Sequence, residues 1–303
     1  MDKAVDPQTP LAEQPSASAL NVAICRALAV HVPRAAIRGR DTLAEYFLDA
    51  AGRASLVNPA IHAVIQQKMY AVSPGGYEFF LARTAYLDAV YEQALHDNIP
   101  QIVLLGAGYD TRAYRFRDLI QETRIFDLDT PATQAHKTAL LEAAGVTAPP
   151  QRTNVSIDFN HERLIDALTA AGYAPGRKTL FIWEGVTYYL PLATVDATLS
   201  FIVDNAAPGS ILGFDYMIAD DLTERFGASE SRAAMQAMYT AEPLHFGLAI
   251  ANVESFMAAR GFDVVEHITA AEMEQRYLVL EDGTLAGRVL DLFGLVQAVV
   301  RAA

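Results

Sequence analysis

The chain has little with which to fasten itself covalently. Cys25 is its one cysteine, which excludes an internal disulfide framework and a cysteine-built zinc site. No uninterrupted apolar run approaches the roughly 20 residues that a membrane-spanning helix needs. Met1 to Pro15 is polar, carries Pro7, Pro10 and Pro15, and lacks the apolar centre of a secretion signal. Positive charge is also scarce: Lys+Arg number 23 against Asp+Glu 36, a formal net charge of −13. Such a surface repels phosphate backbones, so nucleic acid is not an expected partner. There is no internal repeat and no low-complexity tract. These absences leave a cytoplasmic protein with a small-molecule substrate as the simplest expectation.

What is present is apolar mass. The chain has 303 residues, 52% of them hydrophobic, enough for one large α/β core and an appended segment. The organising stretch runs from Gln101 to Asp129. Ile102, Val103, Leu104 and Leu105 form a short apolar run that stops at glycine, as suits a strand buried on both faces of a parallel sheet. Gly106 and Gly108 permit a sharp turn and a close approach to a ligand, and Thr111 to Leu119 could begin the next helix. A second short apolar run, Arg124 to Leu128, is closed by Asp127 and Asp129, and an acid at the tip of a second strand is well placed to accept ribose hydroxyls. The dinucleotide version of this loop wants a third glycine or alanine before the helix. Thr111 stands there instead, which argues against a nicotinamide cofactor. A tight strand-to-helix turn that holds no ligand would use the same glycines.

In chain order, residues 1–15 read as a flexible arm and 16–100 as helical throughout, a plausible cap over the C-terminal edge of a sheet. Asp41 could cap the helix carrying Leu43, Tyr46 and Phe47, and Ser73-Pro74-Gly75-Gly76 is a breaker. Arg83, within the Glu78–His96 helix, has two readings. It is a surface cation paired with Asp88 or Glu92, or a guanidinium reaching down to a ligand carboxylate. Residues 101–303 alternate. Strands are expected at 101–105, 124–128, 152–155, 179–183, 210–215, 262–267 and 292–300, with helices such as 131–144, 161–171 and 192–206 between them. That is an α/β fold with a mostly parallel, Rossmann-like sheet and an antiparallel edge. Residues 217–250 are too long for a simple crossover and read as a helical insertion holding Phe226 and an Ala233–Tyr239 helix.

Ligands of open α/β sheets bind outside the carboxyl ends of the strands, and acids recur at those ends: Asp110, Asp129, Asp158 followed by Phe159, Glu184 followed by Tyr188 and Tyr189, and Asp215. Any one of them could be a helix cap, as Asp158 or Asp215 would be. As a group they suit a ligand rich in hydroxyl, amine and amide donors with a positive centre, which describes adenosine carrying an amino acid and a sulfonium.

Leu-Gly-Ala-Gly-Tyr-Asp-Thr-Arg-Ala-Tyr-Arg, then Phe-Asp-Leu-Asp-Thr-Pro with Lys137 downstream, then Trp-Glu-Gly-Val-Thr-Tyr-Tyr-Leu resemble the leucine carboxyl methyltransferase family over roughly residues 16–280. The segment Ala-Arg-Thr-Ala-Tyr-Leu-Asp around Arg83 resembles an element of the same family. The resemblance implies a class I methyltransferase sheet and S-adenosyl-L-methionine as cofactor. It implies that Arg83 holds the methionine carboxylate, that Gly106 lies against the methionine with Gly108 and Asp110 shaping the loop, and that Asp129 binds the ribose, with Asp127 the fallback. Asp158 and Phe159 would frame the adenine, and Glu184 would lie near the methionine amine. Two positions depart from the family: Asp127 stands where Glu is commoner, and Phe159 where Leu is.

Methyl transfer from a sulfonium is an in-line displacement from an already activated donor, so no metal is required and the protein mainly positions two partners. Tyr109, Tyr188 and Tyr189 could face the positive sulfur, or simply pack. His245 is the most suggestive histidine for a base, and a surface role is its other reading. The leading expectation is an O-methyltransferase acting on a carboxylate or hydroxyl of a small molecule. The alternatives are an NAD(P)-dependent oxidoreductase and a non-catalytic module that binds S-adenosyl-L-methionine.

Overall fold

The computed structural model describes residues 14–32, 34–157, 162–219 and 244–302. Asp158, Phe159 and most of the expected insertion, including Phe226 and 233–239, lie outside the described residues. The described strands are β1 (Gln101–Leu105), β2 (Arg124–Asp129), β3 (Arg152–Ser156), β4 (Thr179–Trp183), β5 (Ile211–Met217), β6 (Phe262–Ile268) and β7 (Phe293–Val300). They form one sheet in the order β3-β2-β1-β4-β5-β7-β6. β1 to β5 are parallel, and β7 runs antiparallel between β5 and β6. The strand order reverses between β1 and β4, which opens a crevice beyond their carboxyl ends.

The sheet follows from its apolar runs. All five residues of β1 and all five of β4 are buried, because helices cover both faces. Alternation along β1 divides the core: Ile102 and Leu104 join one cluster, Val103 and Leu105 the other. The first face is covered by the helices that precede the sheet, α1 (Ala17–Val30), α2 (Ala50–Leu56), α3 (Pro59–Val72) and α4 (Gly76–His96). After β1 comes the short α5 (Arg112–Arg115), and after β2 comes α6 (Pro131–Ala143). The second face carries α7 (Leu164–Ala170), α8 (Leu192–Asn205) and α9 (Val253–Ala258), through Leu168, Val195, Leu199, Val253 and Met257. The last helix, α10 (Ala270–Tyr277), returns to the first face through Met273.

Local signals set the helix starts. Ser16 caps α1 by accepting from the Ala19 amide, and Asn58 with Pro59 opens α3. α10 begins with a capping box of Thr269 and Glu272. The breaker ahead of α4 contains Gly75 at φ 80°. Two placements matter for the site. α4 lies along the sheet, so that Gly213 of β5 leaves room for Leu87: a Cβ there would sit 3.2 Å from Leu87 Cδ2. α1 reaches the strand-end rim, where its Ala19 Cβ would be 3.0 Å from a Cβ at Gly108, and the Ser16 amide donates to Thr133 Oγ1 of α6 at 3.2 Å.

Candidate active site

The β1–α5 loop is built on two left-handed residues, Gly106 at φ 67° and Gly108 at φ 49°, a region that L side chains rarely adopt. A Cβ at Gly106 would fall 2.6 Å from Val186 Cγ2, so the loop after β1 and the loop after β4 meet there. Asp129 pins the loop from the tip of β2. Its Oδ2 accepts from the Gly108 amide at 2.6 Å, and its Oδ1 accepts from the Thr130 amide at 2.7 Å. Oδ1 also lies 3.3 Å from the Thr130 hydroxyl, which leaves Oδ2 with a further lone pair for another donor.

Asp127, two residues earlier, is committed elsewhere. It is 1% exposed, and its Oδ2 accepts from Lys137 Nζ at 2.9 Å and from Arg152 Nε at 2.7 Å. Burial alone would raise its carboxyl, but the two cations outweigh burial and hold it below the usual carboxylate range. Lys137, also fully buried, donates in addition to the Asp110 carbonyl at 3.3 Å. The Asp127 ion cluster therefore ties β2, β3 and α6 to the loop.

Arg83 sits on α4 with 1% exposure. Its Nη1 donates to Asp215 Oδ2 at 2.6 Å and to the Tyr188 hydroxyl at 3.4 Å. Its Nε lies 3.1 Å from Glu184 Oε1. That last contact is an ion pair by distance but lacks hydrogen-bond alignment, so Arg83 Nε and Glu184 Oε1 both remain without a hydrogen-bond partner. The rings of Phe79 and Phe80 flank the guanidinium, with centroids 5.3 and 5.1 Å from Cζ. Arg83 thus pairs with neither Asp88 nor Glu92 but with acids at the tips of β4 and β5. Asp215, fully buried, also accepts from the Gly185 amide at 2.7 Å, fixing the left-handed turn at Gly185 (φ 73°) that follows Glu184. Burial is the stronger influence on Asp215 and lifts its carboxyl above the usual range.

A second guanidinium, to which the sequence assigned no role, is the hub of the site. Arg112 is 2% exposed and meets three acids: Asp88 at 2.8 Å, Glu184 Oε2 at 2.7 Å, and Asp110 in a very short contact. Asp110 Oδ1 also accepts from the Arg112 amide at 2.6 Å, closing the loop on itself. Burial acts to raise Glu184, yet Arg112 first and Arg83 second hold it down at about 2. Asp88 is likewise kept below the usual range, burial notwithstanding, by Arg115 and Arg112. The chain of charges continues outward. Arg115 makes two bonds to Asp88, at 2.7 and 2.8 Å. Thr111 donates to Asp41 at 2.7 Å and accepts from Arg115 at 2.9 Å, which explains a threonine where a dinucleotide loop has glycine. Where a helix capped by Asp41 was expected, the chain makes a short 3₁₀ turn, Ala44–Phe47, with Leu43 at its cap position; Asp41 accepts from the Ala44 amide at 3.2 Å and also binds Arg26, whose Nη2 reaches the Tyr109 carbonyl at 2.7 Å. The usable signal for Arg112 was its place in Asp-Thr-Arg, directly behind the glycine loop.

The aromatic expectations divide. Tyr188 packs on Tyr189 and on Phe293, with centroids 4.7 and 5.0 Å apart, beside Arg83. Tyr109 turns the other way: it is buried against Phe47 and bonds His136 Nδ1 at 2.6 Å, so its ring is a packing element. His245 is exposed, and its amide donates to the Tyr188 carbonyl at 2.7 Å, which brings it to the margin of the same region. The structure therefore gathers Arg83, Gly106, Gly108, Asp110, Asp129, Glu184 and Tyr188 at one rim of the sheet, with Asp127 beneath them.

Against this geometry, comparison with known proteins is decisive. The family model for leucine carboxyl methyltransferase matches residues 19–203. The chain belongs to that family. A Streptomyces avermitilis protein provisionally named an S-adenosyl-L-methionine-dependent methyltransferase is 34% identical over 234 residues, 76% of this chain and 79% of its own. A Streptomyces coelicolor protein with the same provisional name is 32% identical, over 73% of this chain and 76% of its own. Among solved structures, a methyltransferase-like protein from Thermobifida fusca superposes with TM-score 0.58 over 98% of both chains at 16% identity, which speaks to the fold alone. This family member is an S-adenosyl-L-methionine-dependent methyltransferase, and the nicotinamide alternative falls away. Among the described residues, no helix is long and apolar enough to cross a membrane.

Proposed function

We propose that this methyltransferase transfers its methyl group to oxygen, and that the acceptor is a small molecule bearing a carboxylate. The observation that carries this reading is the state of the acids at the rim. Glu184 is held at about 2 by two guanidiniums, and Asp88 and Asp127 are depressed by their cations. A carboxylate so stabilised is a poor proton acceptor, so these groups are unsuited to general-base work. A substrate carboxylate, with a pKa near 4, is ionised at neutral pH and needs no base. The family's own description, which specifies a carboxyl acceptor, points the same way.

The cofactor supplies a methyl group on a sulfonium, already activated for displacement. The residues present fit it. Glu184 Oε1, buried and without a hydrogen-bond partner, offers an acceptor for the methionine ammonium, and Arg83 offers charge for the methionine carboxylate. Gly106 and Gly108 let the backbone approach closely. Asp129 keeps a lone pair on Oδ2 for a ribose hydroxyl, while Asp110 shapes the loop through Arg112. Asp127 acts as a positioning residue beneath the ribose acid. We keep Asp158 and Phe159 for the adenine on the resemblance alone. Tyr188 and Tyr189 provide aromatic walls, and α1, through Ala19 over Gly108, makes residues 16–100 part of the enclosure. A hydroxyl acceptor is the second reading, favoured by the position of His245 beside Tyr188, where it would serve as base.

The test is a screen of small aromatic and aliphatic acids and phenols, with product mass and the pH dependence of turnover as readouts. Carboxylate methylation with a rate flat between about pH 6 and 9 supports the first reading. Phenol methylation that rises with pH and collapses in His245→Ala replaces it with the second. Methylation only of amines or carbon would overturn both.

A further inference from the structure

Asp215 carries none of the cofactor contacts proposed above, yet it lies where two of them cross. α4 runs along β5 in the opposite direction, and the two keep step. Four helix residues advance about 6 Å and two strand residues about 6.6 Å. Leu87 lies over Gly213. Arg83, one turn back, bonds Asp215. Phe79, a further turn back, stacks on Phe293, the register partner of Met217. The middle rung of this ladder is the polar one. Asp215 is 0% exposed, and its carboxylate is divided between two donors. Oδ2 accepts from Arg83 Nη1 at 2.6 Å and Oδ1 from the Gly185 amide at 2.7 Å. Its carbonyl accepts from Thr187 Oγ1 at 2.6 Å. One residue thus ties α4 to the turn that follows Glu184. That turn is close-packed: a Cβ at Gly185 would lie 3.3 Å from Arg83 Nη1. Burial prevails over Arg83 and lifts the Asp215 carboxyl, so the acid is costly to keep. An apolar rung would serve stability as well or better.

We propose that Asp215 is a positioning residue for the amino-acid end of S-adenosyl-L-methionine. It aims Arg83 at the methionine carboxylate and sets the Gly185 turn that presents Glu184 to the ammonium. The inference rests on Arg83 and Glu184 holding those two groups, as proposed above. Fully buried, Asp215 acts through both residues and touches no ligand itself. Its two oxygens fix Arg83 and Gly185 relative to each other. The neutral isostere cannot do the same. An asparagine whose Oδ1 serves the Gly185 amide turns its amino group toward Arg83 Nη1, donor against donor.

The test is calorimetric titration of the full chain with two ligands, S-adenosylhomocysteine and 5′-methylthioadenosine. The second shares the nucleoside but lacks the amino-acid end. In Asp215→Asn, S-adenosylhomocysteine should bind at least about tenfold more weakly, and 5′-methylthioadenosine within about twofold of wild type. Undiminished S-adenosylhomocysteine affinity, or an equal loss for both ligands, overturns the proposal. Arg83→Met separates this failure from failure of the cofactor assignment. If Arg83→Met binds S-adenosylhomocysteine as wild type does, the assignment of Arg83 falls and the proposal with it. If Arg83→Met weakens binding and Asp215→Asn does not, the proposal alone falls. In the double variant the two losses should fall short of additive, and full additivity overturns the coupling. If Asp215→Asn fails to fold, Asp215→Ala, which introduces no donor, is judged by the same two ligands.

Discussion

Replacing Arg112 with methionine keeps much of the side-chain volume and removes the charge. The change strips one partner from each of three acids: Asp88, Asp110 and Glu184. Asp88 retains Arg115 and Glu184 retains Arg83, so the loss is graded rather than total. Breaking a buried ion pair by removing one side costs about 3–5 kcal/mol. Unfolding entropy of about 2.1 cal/mol/K per residue gives roughly 0.64 kcal/mol/K for a chain of this length. The melting temperature should therefore fall by roughly 5–8 °C at pH 7.5. The pH dependence gives a second readout. In the wild type, Glu184 is depressed to about 2 in the folded state from its ordinary 4.5. A depressed folded pKa means stability that is fully present above pH 4.5 and is lost as pH falls through 2. At about 1.36 kcal/mol per unit this amounts to about 3 kcal/mol, of which more than half is gone near pH 3. Arg112 is the largest favourable influence on Glu184, so the variant starts without most of that contribution. The gap between wild type and variant should be widest above pH 4.5 and should narrow toward pH 3. Thermal denaturation across that range, followed by circular dichroism, measures it. A loss under about 1 °C at pH 7.5, or a gap that widens on acidification, would refute the reasoning that Arg112 is the electrostatic hub.

Other perturbations probe separate parts of the rim. Gly106→Ala forces a side chain into a left-handed position and onto Val186, 2.6 Å from the new methyl. Stabilisation by S-adenosylhomocysteine in a thermal-shift assay should then disappear, and an undiminished shift would show that the loop does not approach the cofactor. Lys137→Met leaves Asp127 with Arg152 alone. It should destabilise the fold by about 3 kcal/mol, and a neutral effect in urea denaturation would mean that Asp127 is not held as described. His245→Ala should leave cofactor affinity nearly unchanged, because the side chain is exposed and only its amide is tied to Tyr188. A large loss of cofactor binding by calorimetry would contradict that placement.

The chain by itself determined its sheet. Seven short runs, apolar in β1, β4 and β7 and mixed or polar in β3 and β6, gave strands whose limits fall within about two residues of those observed. It also determined what stands at the rim: Gly106 and Gly108 at left-handed turn positions that glycine takes freely, and Asp129 and Glu184 at the ends of β2 and β4. These are short-range facts, written in runs of five to ten residues. Tertiary structure alone decided how the charges pair. Arg83 meets Glu184 and Asp215, 101 and 132 positions away in sequence, while Asp88, five residues along the same helix, is taken by Arg112 and Arg115. Asp127 and Asp129 read alike in the chain, yet side chains on a strand alternate in direction only by position, not by partner. Lys137 and Arg152 from neighbouring elements are what bury the first and leave the second at the loop. A guanidinium can reach any acid that folding brings within a few ångströms, and no local periodicity encodes which acid that will be.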